Sequence, residues 1–398
     1  MPQLKPDFQT FVKIKVIGVG GAGGNAITRM QTGQRIRGVE FLAINTDTQD
    51  LHHTLARQKL HIGRHLTYGL GTGMNPELGR QAAEEAKDEI ARSLKGSEMV
   101  FITAGMGGGT GTGASPVVAQ IAKDLGCLTL AVVTKPFVFE GLQRERIAQE
   151  GILNLKEIVD SLIVIKNDKI FSLIDKDTPL LEAFEKIDAI LKSSIEGVSD
   201  LITLPGIINV DFADVKTIIE NAGSSLIGIG YGQGENRAVQ AAQMAIESPL
   251  LETSIQGATG LLLNIGGNNL RMEEIKEVAE MVRERADSEA RIIFGAFEDR
   301  RLKKDQIKVT ILATGFNPYL AKSERLPSKN LSIFEQIRQE KEKKEDSSQK
   351  QEQGKEKNES PFSQKKEFSQ EKEEKKEEGT FKDYFDIPAF FRRKKKNK

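Results

Sequence analysis

The sequence predicts an α/β protein with a doubly wound parallel sheet, a long central helix, a second, smaller α/β domain and a disordered C-terminal tail. Three observations support this fold class. Apolar runs alternate with helical periodicity through the first half, the alternation returns after a long helical pattern, and Lys and Glu dominate the last quarter. Strands separated by helices of this length pair in parallel, so we expect ligand sites at their carboxyl ends.

The first half contains the predicted parallel sheet. Its strands are expected at the apolar runs 12–19, 39–44, 99–104, 127–134 and 161–165. Its helices are expected to open near Asn25 and to cover 76–94 and 140–159.

A long helical pattern, 179–201, follows with apolar side chains on one face, and Pro205-Gly206 ends it. The second α/β unit has predicted strands at 225–229, 260–264, 291–295 and 307–313, with helices at 237–246 and 272–285. The predicted boundaries are 1–178 for the N-terminal domain, 179–203 for the central helix, 204–221 for an acidic loop and its helix, 222–316 for the C-terminal domain, 317–380 for a charged linker, and 381–398 for a terminal peptide with a basic tail.

Composition narrows the class of protein. The 398 residues are enough for about two domains, and 57 basic residues balance 57 acidic ones, so no nucleic-acid partner is expected. A single cysteine, Cys127, excludes a disulfide framework and fits a reducing compartment. Neither a signal-peptide core nor an apolar run of about 18 residues occurs. We therefore expect a soluble cytoplasmic protein.

A glycine-rich loop, 107–113, follows the predicted strand 99–104 and has five glycines in seven positions. Without Cβ atoms in the way, successive backbone N–H groups can point into one concavity, and the next helix adds the positive end of its dipole. The loop is interpreted as a phosphate cradle. A flexible linker, the alternative, would not normally lie between a buried strand and a helix.

A second glycine-rich turn, Gly18-Val-Gly-Gly-Ala-Gly23, has the G-x-G-x-x-G spacing of dinucleotide-binding proteins. Asp47 can serve as the acidic residue that this fingerprint expects, so a Rossmann-type oxidoreductase is an alternative. One nucleotide held between several strand-end loops explains both glycine segments, whereas a dehydrogenase explains only the first. A third turn, 69–76, either contacts a terminal phosphate or only caps a helix.

Asn209, Asp211 and Asp214 form an acidic cluster at the start of a predicted helix. The two carboxylates are three residues apart, so they project to one side and can orient a water molecule or coordinate Mg²⁺. N-capping is the alternative role for Asp211. We predict no metal site built from protein ligands alone; Mg²⁺ would be shared between phosphates and Asp211 or Asp214.

The tail has two parts. Residues 338–380 are too polar to bury a core, and Phe362 and Phe368 are their only large apolar residues. The apolar peptide 384–391 then ends this tether, and a basic run, 392–396, follows it. We interpret the peptide as a docking segment for partner proteins. The basic run either contacts an anionic membrane or keeps the terminus solvated.

The loop 107–113, the motif 209–215 and the terminal peptide 386–390 together resemble the FtsZ family, the bacterial cell-division GTPases of the tubulin superfamily. The likeness covers about residues 13–315 plus that peptide. Ala22 stands where the family often has glycine, and Phe391 where it often has leucine. The resemblance implies a cytoplasmic GTPase that polymerises head to tail and forms the division (Z) ring at mid-cell, at the inner face of the membrane.

The resemblance also implies the ligands and partners. GTP or GDP binds with Mg²⁺, Glu140 and Arg144 lie near the ribose and phosphates, Asn167 and Asp188 face the guanine, and Phe184 can stack on the base. The nucleotide-binding residues implied are Gly20, Gly21, Ala22, Gly23, Gly24, Asn25, Asn45, Gly71, Gly73, Gly107, Gly108, Gly109, Thr110, Gly111, Thr112, Glu140, Arg144, Asn167, Phe184 and Asp188.

In this family, the acidic loop of one subunit completes the hydrolytic site of the next. Asp211, Asp214 and Asn209 would therefore act in trans, and the terminal peptide would bind membrane-tethering and regulatory division proteins. Two competing hypotheses stay open. One is a nucleotide-binding scaffold that assembles without useful hydrolysis, and the other is the oxidoreductase.

Overall fold

A computed structural model describes residues 12–32, 36–172, 174–175, 177–248 and 255–316. The predicted linker 317–380 and the terminal peptide and basic tail at 381–398 lie outside the described residues. Within the described ranges, no helix is both long enough and apolar enough to cross a membrane.

The first half consists of six strands and seven helices among the described residues. The strands are β1 Ile14–Val19, β2 Val39–Asn45, β3 Gln58–His61, β4 Met99–Gly105, β5 Leu128–Lys135 and β6 Ser161–Lys166. The helices are α1 Gly20–Gln31, α2 Thr48–His53, α3 Arg64–Thr67, α4 Pro76–Glu85, α5 Lys87–Leu94, α6 Thr110–Asp124 and α7 Leu142–Lys156. Two 3₁₀ turns, Val138–Glu140 and Asn167–Ser172, follow β5 and β6.

The central helix and the second half follow in the same chain order. The helices are α8 Leu180–Thr203, α9 Phe212–Ile219, α10 Arg237–Ile246 and α11 Met272–Arg285. The strands are β7 Gly223–Gln233, β8 Gly260–Gly267, β9 Arg291–Glu298 and β10 Gln306–Thr314.

All ten strands join one sheet in the order β3-β2-β1-β4-β5-β6-β7-β10-β8-β9. The pairs from β3 to β6 are all parallel, which confirms the doubly wound first half. β7 pairs in parallel with β6 over three residues, and Ser161 lies opposite Gly223. β10 is antiparallel to both β7 and β8, so the second half of the sheet is mixed.

The apolar strands are buried on both faces. All six residues of β1 are buried, and alternate side chains enter different cores: Ile17 and Val19 pack with α4 to α7, whereas Ile14 and Val16 pack with α1 and α8. This explains why these strands have nearly continuous apolar sequences, as parallel strands covered by helices usually do. A third core fills the second half, between its strands and helices α10 and α11.

Several element boundaries differ from the predictions. The first helix begins at Gly20 rather than near Asn25, so most of the first glycine turn is helical. The predicted helix 76–94 is divided at Ala86, and the predicted helix 140–159 is a 3₁₀ turn and α7, separated by Gly141 at φ +98°. The short elements α2, β3 and α3 were not predicted, because pieces of four to six residues have no readable periodicity.

Candidate functional site

The glycine-rich segments meet at the carboxyl ends of the parallel strands. A cavity of about 480 Å³ lies there, between the loops that follow β1, β4 and β5. A smaller cavity of about 230 Å³ adjoins it, and the two share Ala22, Gly105, Thr134, Asn167 and Phe184 on their walls. This is the position that the parallel topology predicts for a ligand.

Two helix N-termini face the larger cavity. α1 begins at Gly20 and α6 at Thr110, and the wall includes the first three residues of α1 and the first two of α6. Neither Val19 nor Gly109, the N-cap residues, makes a side-chain capping hydrogen bond, and neither first turn contains an acidic residue. Both helices therefore direct backbone N–H donors and the positive ends of their dipoles at one space, an arrangement suited to polyphosphate.

Two neighbouring helices, α2 and α4, contrast with these two. The carboxylate of Asp47 caps α2 by accepting hydrogen bonds from the backbone N–H groups of Gln49 and Asp50, at 2.8 and 3.1 Å. The side chain of Asn75 caps α4 in the same way. Asp47 therefore serves as a helix cap at the position where the oxidoreductase hypothesis needed a ribose ligand. Of these four helices, the two that face the cavity, α1 and α6, are the ones without a side-chain cap.

Backbone packing explains two of the glycines. A Cβ on Gly20 would lie 2.9 Å from the amide nitrogen of Gly111, and Gly20 also has a φ of +73°. A Cβ on Gly109 would lie 2.1 Å from Oγ1 of Thr72. Gly20 thus packs against the backbone of the loop 107–113, and Gly109 packs against the turn 69–76, so a side chain at either position would push these segments apart. Ala22, in contrast, has helical backbone, so its methyl group is accommodated.

Threonine hydroxyls join three of the loops. Oγ1 of Thr110 lies 2.7 Å from Oγ1 of Thr46 and 3.2 Å from Oγ1 of Thr72, and all three side chains are buried. Thr72 lies between Gly71 and Gly73, the residues that were predicted to bind the ligand, and it lines the cavity in their place. The third glycine turn is thereby fixed beside the phosphate cradle.

Aromatic rings form the opposite end of the cavity pair. Phe184 of α8 has 37% of its surface exposed and lines both cavities. Phe137 packs against it edge-on, with ring centroids 5.8 Å apart, and Phe139 stacks on Phe137 at 4.8 Å. Oδ1 of Asn167 is buried there without a hydrogen-bond partner. An orphaned polar atom beside an accessible ring suits a planar base with polar edges.

Asp188 lies next to this aromatic end, on the wall of the smaller cavity. Its Oδ2 is 2.6 Å from Nη1 of Arg29, and the Asp188 side chain has 14% of its surface exposed. Burial raises the pKa of Asp188 to about 6, although the charge of Arg29 acts in the opposite direction. This carboxylate is therefore placed to receive N–H donors from a base.

Glu140 and Arg144 form an ion pair on the wall of the larger cavity. Oε1 of Glu140 also accepts a hydrogen bond of 2.8 Å from the amide of Phe137, which fixes the 3₁₀ turn after β5. Among the described residues that line this cavity, Arg144 is the only lysine or arginine. Most of the positive potential for a polyphosphate must therefore come from backbone amides.

The predicted nucleotide-binding residues divide into two groups. Those on the cavity walls are Gly20, Gly21, Ala22, Asn25, Gly108, Gly109, Thr110, Gly111, Glu140, Arg144, Asn167, Phe184 and Asp188. Those that are absent from the walls lie in the same loops, in α1 or α6, or at the end of β2, and they are Gly23, Gly24, Asn45, Gly71, Gly73, Gly107 and Thr112. Thr112 shows why: its hydroxyl accepts a hydrogen bond of 2.9 Å from the amide of Gly107 and stabilises the loop from behind.

Sequence reasoning missed several wall residues, namely Thr72, Met106, Thr134, Pro136, Phe137 and Phe139. Four of them were detectable in principle, because residues 134–139 overlap the end of β5 and extend beyond it. The rule that locates ligands at the carboxyl ends of parallel strands applies to this strand as well.

The acidic cluster does not line the cavities. Thr203, at the end of α8, packs against Gly38, directly before β2 begins. The backbone N–H of Asn221, after α9, donates a hydrogen bond to Oδ1 of Asp160, which lies directly before the start of β6. The segment between them, which contains the acidic cluster, therefore starts and ends at the amino ends of the parallel strands. Asn209, Asp211 and Asp214 thus lie away from the cavities.

The acidic side chains are exposed and available for a ligand or partner. Asp211 is the N-cap residue of α9, yet its side chain makes no capping hydrogen bond. Oδ1 of Asn209 accepts a hydrogen bond of 2.7 Å from the amide of Gly206, which folds the loop back on itself. The N-capping role that was the alternative for Asp211 is therefore absent.

Gly108 and Gly109 provide a paired test of the cradle. Gly109→Ala is expected to weaken nucleotide binding by at least about tenfold, the loss of one charge-assisted hydrogen bond, because its Cβ would displace the loop from Thr72. A Cβ on Gly108 meets no atom within 4 Å, so Gly108→Ala keeps the loop and any loss reports ligand contact alone. Calorimetric titration with GDP measures the nucleotide affinity of the two variants. Wild-type affinity in both variants would contradict the cradle.

Comparisons with known proteins agree with this geometry. Residues 13–175 match the GTPase domain of the Tubulin/FtsZ family, and residues 223–317 match the C-terminal domain of the FtsZ family. An empty FtsZ dimer from M. jannaschii is 48% identical with a TM-score of 0.73, and the match covers 77% of this chain and 89% of that one. A point mutant of the M. jannaschii protein matches equally well, over 92% of its chain.

More distant structures share the fold. CetZ2 from Haloferax volcanii, solved as a GTPγS-bound protofilament, is 20% identical with a TM-score of 0.63, and the match covers 84% of this chain and 99% of that one. CetZ1 from the same organism, solved as a GDP-bound monomer, is 22% identical with a TM-score of 0.67, over 77% of this chain and 95% of that one.

Proposed function

The chain belongs to the FtsZ family of tubulin-related GTPases, and from that premise we propose that it polymerises head to tail into protofilaments. In these filaments, the acidic loop of each subunit completes the GTP site of the next. One observation carries the proposal: the phosphate cradle and the acidic cluster belong to opposite ends of the parallel strands. A second copy, stacked in the same orientation, would bring the two together.

The cradle is suited to binding rather than to chemistry. Two uncapped helix N-termini and the glycine amides hold the phosphates, while Arg144 adds one side-chain charge. Among the described residues on the wall of the larger cavity, Glu140 has the only carboxylate, and its oxygens are engaged by Arg144 and by the backbone amide of Phe137. Within the described part of one subunit, this wall therefore has no carboxylate ready to position a water beside the terminal phosphate.

Asp211 and Asp214 supply that missing carboxylate in the proposed filament. From the start of α9, they would orient and polarise the water that attacks the γ-phosphate, and Asn209 would hold the loop in place. Phosphoryl transfer asks little covalent chemistry of a protein, so positioning and charge stabilisation must provide most of the rate. Assembly would then switch hydrolysis on, and loss of the γ-phosphate would weaken the contact.

Mg²⁺ fits this arrangement as a shared ion. In the described part of the chain, no three acidic, histidine or cysteine side chains cluster closely enough to hold a metal by themselves. Mg²⁺ commonly keeps several waters and binds through phosphates and one or two carboxylates. The phosphates together with Asp211 or Asp214 match that donor set, and the ion would neutralise charge on the phosphates.

The cellular role follows from the family. We place the filaments in the division ring, in the cytoplasm at mid-cell, at the inner face of the membrane. The terminal peptide within 381–398 would bind membrane-tethering and regulatory division proteins, and its basic tail would add peripheral membrane contact.

The proposal is tested by the dependence of hydrolysis on protein concentration. GTP turnover per molecule should rise with concentration and then level off, because each active site needs two subunits. Light scattering followed in the same samples should rise over the same range. GDP binding at the lowest concentration serves as the control, since one subunit suffices to bind. A flat turnover per molecule from dilute solution upward would mean that one subunit holds the whole site.

A further inference from the structure

Helix α1 connects the two ends of the cavity pair. Its N-terminus at Gly20 faces the larger cavity, and Arg29, in its last turn, lines the smaller one. The nine residue steps from 20 to 29 correspond to about 13 Å along the helix axis. One rigid element thus fixes the distance between the phosphate cradle and the base end of the site.

Arg29 faces Asp188 of α8 across this smaller cavity. Nη1 of Arg29 lies 2.6 Å from Oδ2 of Asp188, so the ion pair engages one of the two carboxylate oxygens. Phe184 and Asn167 line the same cavity. The other charged group that acts on Asp188 is Glu185, on its own helix, and it opposes ionisation.

We propose that Arg29 is a positioning residue for the guanine base, which it serves by keeping the Asp188 carboxylate ionised and fixed in direction. The inference rests on the proposed function, because it takes guanine as the group that Asp188 receives. Guanine offers two adjacent N–H donors, N1–H and N2–H, and only a carboxylate held in one orientation accepts both. Arg29 itself need not touch the nucleotide.

The pair also sets how binding depends on pH. Burial raises the pKa of Asp188 to about 6, and Arg29 lowers it, so removal of Arg29 must raise it further. N–H donors of guanine bind the ionised carboxylate. The affinity for GDP should therefore be constant at pH values well above 6 and should fall as the pH decreases through about 6. Without Arg29, the fall should begin at a higher pH.

The experiment is GDP binding by calorimetry from pH 5 to 8, with dilute protein so that assembly does not contribute. Arg29→Gln is expected to weaken GDP binding about tenfold at pH 7, the scale of one charge-assisted contact, and to move the pH midpoint upward. Arg29→Lys should restore the midpoint in part. Arg146→Gln, which removes an exposed charge from α7, is the matched control and should leave both values unchanged.

Two further measurements separate positioning from folding. Inosine diphosphate lacks the 2-amino donor, so the preference for GDP over it should shrink in Arg29→Gln. Asp188→Asn is nearly the same size and cannot ionise, so it should bind GDP weakly and lose the pH dependence near pH 6. Thermal unfolding followed by circular dichroism shows that each variant is folded.

The outcomes distinguish this inference from the proposed function. An unchanged pH midpoint in Arg29→Gln, or a wild-type pH profile in Asp188→Asn, would overturn the role of the pair while GDP binding itself persisted. If Arg29→Gln does not fold, Arg29→Lys and Asp188→Asn decide the question. Failure of the wild-type protein to bind GDP at any pH would instead overturn the proposed function.

Discussion

Replacing Asp214 by alanine is expected to slow GTP hydrolysis by about 100-fold or more while GTP affinity stays close to that of the wild type. The rate should fall because, in the proposed filament, the water that attacks the γ-phosphate loses the group that orients and polarises it, and removal of one such preorganised contact commonly costs about 10² to 10³ in rate. Affinity is retained because Asp214 is absent from the walls of both cavities.

Two variants accompany this prediction. Glu220→Ala removes another exposed carboxylate at the far end of α9, where the side chain forms only a surface ion pair with Lys216. It should hydrolyse GTP as the wild type does. Asp214→Asn keeps the shape of the side chain without its charge, and it should be nearly as slow as the alanine variant.

Phosphate release and nucleotide binding must be measured on the same preparations. Normal hydrolysis by Asp214→Ala would refute the proposed role of this residue. Loss of GTP affinity in this variant would contradict the separation of binding and hydrolysis between two subunits.

The parallel half of the fold was predictable from the sequence because both faces of its strands are buried. β1, β4 and β5 are nearly continuous apolar runs, and the longer helices between them have clear periodicity. The helix boundaries were less accurate. Nothing in the residues around Ala86 predicts the break between α4 and α5, since alanine and glutamate both favour helix.

The candidate site was predicted in outline, because glycine clusters after strands have a direct physical meaning. The sequence could not distinguish glycines that face the ligand from those that allow close packing. Gly23, for example, is a packing glycine, because a Cβ there would lie 2.6 Å from the carbonyl oxygen of Thr103. Spacing alone made it part of the nucleotide fingerprint.

Long-range pairs were beyond the reach of sequence patterns. Arg29 and Asp188 are far apart in the chain, and only the packing of α1 against α8 brings them together. The same is true of the hydroxyl contacts between Thr110, Thr46 and Thr72. Local periodicity contains no information about such contacts, whereas it does define the helices that make them.

Mixing two poorly active variants should restore GTP hydrolysis at a GTP concentration that fills the wild-type cradle but not the weakened cradle of Gly109→Ala. Asp214→Ala retains its cradle and lacks a working acidic loop, and Gly109→Ala retains the loop and has the weakened cradle. In a head-to-tail polymer the two faces of a contact are different surfaces, so an intact cradle of one variant can meet an intact loop of the other. In an equal mixture with random order, roughly a quarter of the contacts would have both intact parts.

At that GTP concentration, the expected turnover of this mixture is therefore up to roughly a quarter of the wild-type value, well above that of either variant alone. Asp214→Ala mixed with Asp211→Ala is the control, because both variants lack a working loop and no contact in that mixture is complete. A site contained within one chain would give only the sum of the two separate activities. Recovery in the first mixture and none in the second would require that the cradle and the acidic loop come from different subunits.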